Sequence, residues 1–209
     1  MLMWPVENIL KDSQSLDDTT KQNLTEEISE RIIPELTREA ERIPVEESSL
    51  LAVDWLNGRR TPDANQMLKG AISGLTLGSD APRIFKALVE STAFGSKAIV
   101  ERLREEGARI DGTIAMGGVA KKSPFVMQVL SDVLNMPIKV AKSEQTTALG
   151  SAMAASVVGG IYNSFGEAQQ KMGRGFDREY HPDSHRAALY NKLYEKYLKL
   201  GRFIENELT

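Results

Sequence analysis

The stretch that most constrains this chain is a short apolar segment that ends in two adjacent glycines and is followed by a helix start. Residues 113–116 form the apolar segment, Gly117 and Gly118 follow it, and Ser123 opens a strongly periodic apolar helix. Strand, glycine turn and helix start is the order in which α/β proteins build phosphate and nucleoside sites. Glycine also permits positive φ and close approach of the backbone to a ligand. The stretch therefore predicts a nucleotide-binding turn.

Composition and charge exclude several classes of protein. The chain has 209 residues, a formal net charge of -3 and no cysteine. This charge leaves no electrostatic footprint for nucleic acid or an anionic membrane, and the lack of cysteine excludes disulfides, thiolate zinc sites and a cysteine nucleophile. No apolar run approaches the roughly 20 residues of a membrane-spanning helix, and no secretory signal is recognisable. We therefore expect a cytoplasmic protein that binds neither nucleic acid nor membrane.

Helical periodicity dominates the sequence, and few candidate strands separate the helices. Apolar residues recur at helical spacing after Asp17, Asp80, Ser123 and Asp183, whose side chains are suited to cap helices. Helix, strand, helix, strand, helix in close order predicts parallel strands with right-handed crossovers. The candidate strands are residues 50–53, 113–116 and 138–140.

Smaller features refine these helices. Pro34 lies inside the first long helical pattern and predicts a kink or restart near Ile33. The inner stripe of the helix after Asp80 contains the small residues Ser91, Gly95 and Ala98, which predicts close packing and a central position for this helix. Gly107 follows this helix in the position of a C-terminal glycine cap. Residues 148–155 are nearly all small and predict a tightly packed helix, whereas residues 173–180 are interpreted as a loop.

The loop at residues 54–62 has two interpretations of equal weight. It contains the carboxylate of Asp54, the indole of Trp55 and the guanidinium groups of Arg59 and Arg60. As a binding loop, it would contact an anionic ligand. As a structural turn, it would bury Trp55 and leave the two arginines in solvent.

No side chain stands out as a catalytic base or a metal ligand. Phosphoryl transfer needs a carboxylate, a Mg²⁺ site and donors for the phosphates. Donors are available around residues 117–123, but the aspartates have simpler explanations as turn, cap or surface residues. His181 and His185 are separated by Pro182, so they do not share a regular helix face, and a solvated loop and helix start explain them better than a metal site. The aspartates are Asp54, Asp80, Asp111 and Asp132.

Four stretches together resemble the FGGY carbohydrate kinases, and among these the members that phosphorylate L-ribulose. Residues 116–124, continued by 127–128 and 131–134, resemble the adenosine motif of the family. The likeness covers the chain from about residue 4 to the end. The three other stretches are residues 54–62, residues 68–95, and residues 145–152 with 168–172.

The resemblance implies the actin-like, ribonuclease H-like ATPase fold, here incomplete and helix-rich around a small, mainly parallel sheet. Residues 1–209 would be part of the second, nucleotide-binding domain, with a helical segment at 1–48 and an α/β core plus C-terminal helix at 49–209. ATP, with Mg²⁺, would lie in a cleft between two domains. The residues that would border the adenosine and α-phosphate are Gly117, Gly118, Val119, Lys121, Lys122 and Ser123.

The resemblance also implies that part of the machinery lies upstream of Met1. The sugar, L-ribulose, would bind in that missing domain, which would also hold the catalytic aspartate, so this chain alone should lack kinase activity. An uncovered sheet edge predicts self-association. Two alternatives stay open: another FGGY kinase such as a xylulose kinase, against which the loop at residues 57–62 argues, and a non-catalytic helical interaction module.

Overall fold

Residues 4–207, which the computed structural model describes, contain eight α-helices, one 3₁₀ turn and five short strands. None of these helices is both long enough and apolar enough to span a lipid bilayer. In chain order the elements are α1 (Trp4–Asp12), α2 (Asp18–Glu41), a 3₁₀ turn (Val45–Glu47), β1 (Leu51–Val53), β2 (Ala71–Ser73), α3 (Ala81–Glu105), β3 (Thr113–Ala115), α4 (Gly118–Lys122), α5 (Pro124–Leu134), β4 (Ile138–Ala141), α6 (Thr146–Val158), α7 (Phe165–Met172), β5 (Phe176–Tyr180) and α8 (Ser184–Glu207).

The strands form two separate small sheets. β1 and β2 pair antiparallel, and in the second sheet the order is β3-β4-β5. β3 and β4 are parallel, with Ile114 opposite Lys139, as the alternation of helices and strands predicts. β5 joins β4 antiparallel, with Glu179 opposite Lys139. The sheet is therefore mixed, where a mainly parallel sheet was expected.

The two strands that the sequence does not reveal are β2 and β5. Residues 173–180 were expected to form a loop, but Phe176 to Tyr180 pair with β4. Every side chain of β5 except Tyr180 is exposed, so the alternation of apolar and polar residues that marks a half-buried strand is missing. The prediction of a loop is wrong there because backbone pairing alone defines this strand.

The helix ends follow the capping signals closely. Asp17 caps α2, Asp80 caps α3 and Ser123 caps α5, each by accepting a hydrogen bond from a backbone N–H three residues later. Arg186 N donates to Asp183 Oδ1 at 2.9 Å at the start of α8. Gly107, with φ of 89°, follows the end of α3. Short-range hydrogen bonding thus fixes where these helices begin and end.

α2 runs through Pro34 without the restart expected near Ile33. An interior proline costs a helix about 3 kcal/mol, because it removes a backbone donor and crowds the preceding turn. The carboxyl-terminal half of α2 packs on α3, where Leu36 and Ala40 are buried. Burial of this apolar face against α3 keeps the helix continuous.

α6 differs from its prediction as a tightly packed helix. Its main neighbour is α7, and most of its small side chains are exposed. Only Met153 and Ser156 of this helix are buried. The small side chains of α6 would allow another element to pack closely, but no second element in the described part of the chain covers the exposed face of this helix.

α3 is the central helix, as its small-residue stripe predicts, and it packs on α2, α5, α8 and β1. Phe94 of α3 is 1% exposed and lies among three tyrosines of α8. Its ring centroid is 6.2 Å from that of Tyr190, 5.9 Å from Tyr194 and 5.4 Å from Tyr197. Aromatic contacts between α3 and α8 therefore form the centre of the main core.

α3 also carries a buried charged pair that its apolar stripe does not reveal. Lys86 Nζ lies 3.8 Å from Glu90 Oε1, and the two residues are 4% and 2% exposed. Glu90 accepts hydrogen bonds from Ser48 Oγ at 3.1 Å and Tyr190 OH at 3.2 Å, and Lys86 donates to the carbonyl of Ile43. Burial raises the pKa of Glu90 to about 7 and lowers the pKa of Lys86. Desolvation thus outweighs the attraction between the two charges.

Asp132 is a buried structural carboxylate, so its interpretation as a turn, cap or surface residue is wrong. It is 2% exposed and accepts from Gln128 Nε2 at 2.9 Å, Asp183 N at 2.8 Å and Arg186 Nε at 2.7 Å. Two of these donors lie more than fifty residues away along the chain, which no local pattern could show. The carboxylate joins α5 to the start of α8.

Candidate functional site: the double-glycine turn and a second cleft

The double-glycine turn lies at the carboxyl-terminal edge of the parallel pair. β3 ends at Ala115, and the short helix α4, which contains Lys121 and Lys122, begins at Gly118. Because parallel strands end at the same edge, the turn lies beside the segment that follows β4. Lys121 Nζ donates to the carbonyl oxygen of Lys142 at 2.6 Å and so ties the two segments together.

The two glycines have different roles in this turn. Gly117 adopts φ of 90°, a conformation that residues with a side chain rarely adopt. Gly118 has no such requirement, and a Cβ atom added at either glycine would meet no heavy atom within 4 Å. Packing inside the chain therefore does not explain a glycine at position 118, and the space beside it is open to a ligand.

The side chains around the turn are only partly available to a ligand. Besides bonding Lys142, Lys121 Nζ lies 3.2 Å from Asp177 Oδ2. Ser123 Oγ accepts from Val126 N at 3.4 Å and thus caps α5. The Lys122 side chain is exposed and makes no hydrogen bond or ion pair with residues 4–207, and Val119 is exposed. The Val119 side chain and the Lys122 ammonium remain free for binding, whereas the carbonyl oxygens of Gly117 and Val119 already accept hydrogen bonds from Lys121 N and Ser123 N.

A second cleft lies between the loop at residues 54–63, α3 and α8, with a volume of about 360 Å³. Trp55 is buried, as the structural interpretation of the loop predicts. Arg59 is not solvated: its guanidinium donates two 3.0 Å hydrogen bonds to Glu205 and lies 5.2 Å from the Trp55 ring centroid. Arg60 is exposed. The loop is therefore fixed on α8 by a partner 146 residues away.

Asp54 is partly buried in this cleft and is more than a simple turn residue. Its Oδ1 accepts a long hydrogen bond of 3.4 Å from Tyr197 OH, and burial raises the pKa of the carboxyl group. A Cβ atom at Gly95 would lie 3.4 Å from Asp54 Oδ2, and one at Gly201 would lie 3.1 Å from Trp55 Cη2. The two glycines let Asp54 and Trp55 approach α3 and α8 closely.

The other polar candidates do not assemble into a catalytic centre. His181 lies 3.8 Å from Glu179, and His185 lies 3.8 Å from Glu46. Asp111 pairs with Arg109 on the surface. Across residues 4–207, no three histidine, aspartate or glutamate side chains are placed so that they could hold a metal ion together.

Comparison with known proteins identifies the family to which this chain is similar. Residues 4–158 match the sequence model of the FGGY family of carbohydrate kinases, C-terminal domain. The chain is 42% identical over 205 residues to a ribulokinase of Vibrio parahaemolyticus, a match that covers 98% of this chain and 35% of the relative. A solved xylulose kinase from Lactobacillus acidophilus superposes with a TM-score of 0.74 at 25% identity, over 82% of this chain and 34% of the other. A Plasmodium falciparum glycerol kinase with ADP superposes with a TM-score of 0.66 at 22% identity, over 95% and 36%, which shows the fold alone.

These similarities first define the class: a C-terminal domain of the carbohydrate kinase type with the actin-like ATPase fold. The chain belongs to the FGGY family of carbohydrate kinases, and the relatives that it matches over most of its length are ribulokinases. It spans about a third of the length of those relatives.

Proposed function

We propose that this chain is the nucleotide-binding part of a cytoplasmic ATP-dependent kinase that phosphorylates L-ribulose in the catabolism of L-arabinose. The observation that carries the proposal is the 42% identity to a ribulokinase over 98% of the chain. The adenosine of ATP lies against the Gly117-Gly118 turn in this proposal. Open space beside both glycines supports that position, because backbone N–H groups can then approach a ligand directly.

Within this proposal, the residues of the chain bind and orient ATP, which brings the γ-phosphoryl group. Lys122 offers its ammonium to a phosphate, and Lys121 holds α4 against the segment after β4. We assign Mg²⁺ to the ATP phosphates, since the described residues offer no cluster of metal ligands. We place no catalytic base at the turn, because Asp177, the carboxylate bonded at this edge, is paired with Lys121.

A kinase assay on the gene product that contains this chain tests the proposal. We expect ADP formation that depends on L-ribulose and ATP together. The second candidate, a xylulose kinase, is favoured by the superposition at a TM-score of 0.74, so D-xylulose is assayed in parallel. A clear preference for D-xylulose would establish the second candidate, and no sugar-dependent ADP formation with either ketose would refute both.

Gly118→Val tests the position of the nucleotide. We expect the dissociation constant for ATP, measured by calorimetry, to rise about tenfold or more, because branched methyl groups occupy the space that the ligand needs. The thermal midpoint should stay near that of the unsubstituted protein, since a Cβ atom there meets nothing within 4 Å.

The matched control for this substitution is Gly112→Val, which lies before β3 at the opposite end of the strand. A Cβ atom at Gly112 has one neighbour within 4 Å, the carbonyl oxygen of Pro137 at 3.9 Å, which is an ordinary contact. We expect unchanged ATP affinity in this variant. If both variants bind ATP as tightly as the unsubstituted protein does, the nucleotide does not bind at the turn.

A further inference from the structure

The cleft between the loop at residues 54–63, α3 and α8 is lined by charged side chains, and some of them form no ion pair in the described part of the chain. Six charged side chains line it, and two of its acids are paired: Glu205 with Arg59 at 3.0 Å, and Asp63 with Arg102 at 3.7 Å. No ion pair within residues 4–207 involves the three other lining charges. These are the guanidinium groups of Arg60 and Arg202 and the carboxylate of Asp54.

The hydroxyl groups in the cleft present acceptors to a ligand. Thr92 Oγ1 donates to the carbonyl of Val89 at 2.8 Å, and Ser96 Oγ donates to the carbonyl of Thr92 at 3.0 Å. Each hydroxyl oxygen therefore keeps lone pairs with which it can accept a hydrogen bond. The Asp54 carboxylate adds further acceptor positions, since its described side-chain partner is Tyr197 OH at 3.4 Å. Such a surface suits a ligand that carries several hydroxyl donors.

The cleft is large enough for a small metabolite, and its walls are fixed. Its volume of about 360 Å³ falls within the range of roughly 300–1,000 Å³ that is usual for small-molecule sites. Backbone hydrogen bonds of 2.9 and 3.1 Å join Arg59 and Asn65 across the loop, and the Arg59–Glu205 pair fixes the loop on α8. A preformed site of this kind loses little free energy in ordering its own loop when a ligand binds.

We propose that this cleft is a binding site for a small phosphorylated sugar, with its phosphate on Arg60 and Arg202 and its hydroxyls on Asp54, Thr92 and Ser96. Two guanidinium groups that line one cleft are suited to a phosphate, and a carboxylate with hydroxyls in the same cleft is suited to a sugar ring or chain. An amino acid zwitterion fits less well, because a single ammonium would bond Asp54 and leave the hydroxyl acceptors unused.

This site is separate from the nucleotide turn, since no residue between 116 and 123 lines the cleft. The inference also stands without the proposed kinase reaction, because it rests on the lining groups alone. If both hold, the phosphorylated product of the reaction belongs to the chemical class that the cleft binds, and the cleft would then act as an effector site.

Calorimetric titration with D-ribose 5-phosphate as the probe tests this site, with D-ribose and inorganic phosphate titrated separately. We expect the phosphorylated sugar to bind at least about tenfold more tightly than either half. Arg202→Gln and Asp54→Asn should each weaken it about tenfold or more, the size of a lost charge-assisted hydrogen bond. Arg174→Gln is the matched control, because Arg174 is exposed, unpaired within residues 4–207 and outside the cleft.

Three results would overturn the inference: no binding of the probe, equal binding in all variants, or equal affinity for inorganic phosphate alone. Arg202 is exposed and lacks a partner among the described residues, so its substitution should leave the thermal midpoint unchanged and the test valid. Gly118→Val separates the two sites, since it should weaken ATP and leave the affinity for D-ribose 5-phosphate intact. The binding test of the cleft is therefore independent of the result of the kinase assay.

Discussion

Phe94→Ala should lower the free energy of unfolding by about 4 kcal/mol, the usual range for truncating a fully buried phenylalanine. Phe94 is 1% exposed and lies between α3 and α8. The neighbouring tyrosines cannot easily move into the cavity, because Tyr190 OH is bonded to Glu90 at 3.2 Å and Tyr194 OH to Glu101 at 2.8 Å. Chemical denaturation followed by circular dichroism measures the loss.

Phe203→Ala provides the control for the truncation of Phe94. Phe203 lies on α8, like the tyrosines, but is 53% exposed. Its truncation should cost less than about 1 kcal/mol, since little apolar surface leaves the core. Similar losses in the two variants would mean that the contact between α3 and α8 is not the centre of the core.

Lys86→Met should lower the free energy of unfolding by about 2 kcal/mol at pH 8, because Glu90 must then take up a proton or stay charged without a cation, and because the hydrogen bond to the Ile43 carbonyl is lost. Lys86 Nζ lies 3.8 Å from Glu90 Oε1, and both side chains are almost fully buried. The methionine side chain has a similar length and apolar stem, so the loss reports the charge rather than the volume.

The effect of Lys86→Met should depend on pH in a defined direction. Burial raises the pKa of Glu90 from 4.5 to about 7 in the folded protein, so the native state holds an extra proton between these values. The stability contributed by that proton is lost as pH rises through this window. Removing the cation raises the pKa of Glu90 further, so the variant should lose most at pH 8 and little at pH 5, where Glu90 is protonated.

Arg102→Met is the matched control for Lys86→Met. Arg102 and Glu106 also form an ion pair between residues four apart, in the region where α3 ends. Both of these side chains are well exposed, so their pair should contribute less than about 1 kcal/mol. Denaturation curves at pH 5 and pH 8 compare the two variants. A loss in Lys86→Met that does not change with pH would show that Glu90 does not titrate as the pair requires.

Signals within a few residues predicted much of the fold. The capping side chains of Asp17, Asp80, Ser123 and Asp183 located four helix starts, since a cap and the N–H that it accepts from lie three residues apart. Short apolar runs that alternate with helices identified the parallel strands β3 and β4, and a stripe of small residues identified the central position of α3. The role of the Gly117-Gly118 turn in nucleotide binding stays a prediction.

Features defined by distant partners were missed. Asp132 is a charged residue in an otherwise apolar helix, and two of the donors that explain its burial, Asp183 N and Arg186 Nε, lie 51 and 54 residues later in the chain. Arg59 similarly depends on Glu205, and Glu90 on Tyr190. β5 was missed because its exposed side chains carry no alternation. In each case the missing information lies in tertiary contacts, which one sequence does not display.

The last helix, α8, lies outside the span of the family model but belongs to the same hydrophobic core as the residues inside that span. The family match stops at residue 158, yet Tyr190, Tyr194, Tyr197 and Ile204 of α8 belong to the main hydrophobic cluster. A segment outside the shared family pattern thus contributes part of the interior on which the matched residues depend. The span of the family model is therefore shorter than the unit that packs around α3, and a substitution in the α3 face of this core should be compensated most readily by a substitution in α8.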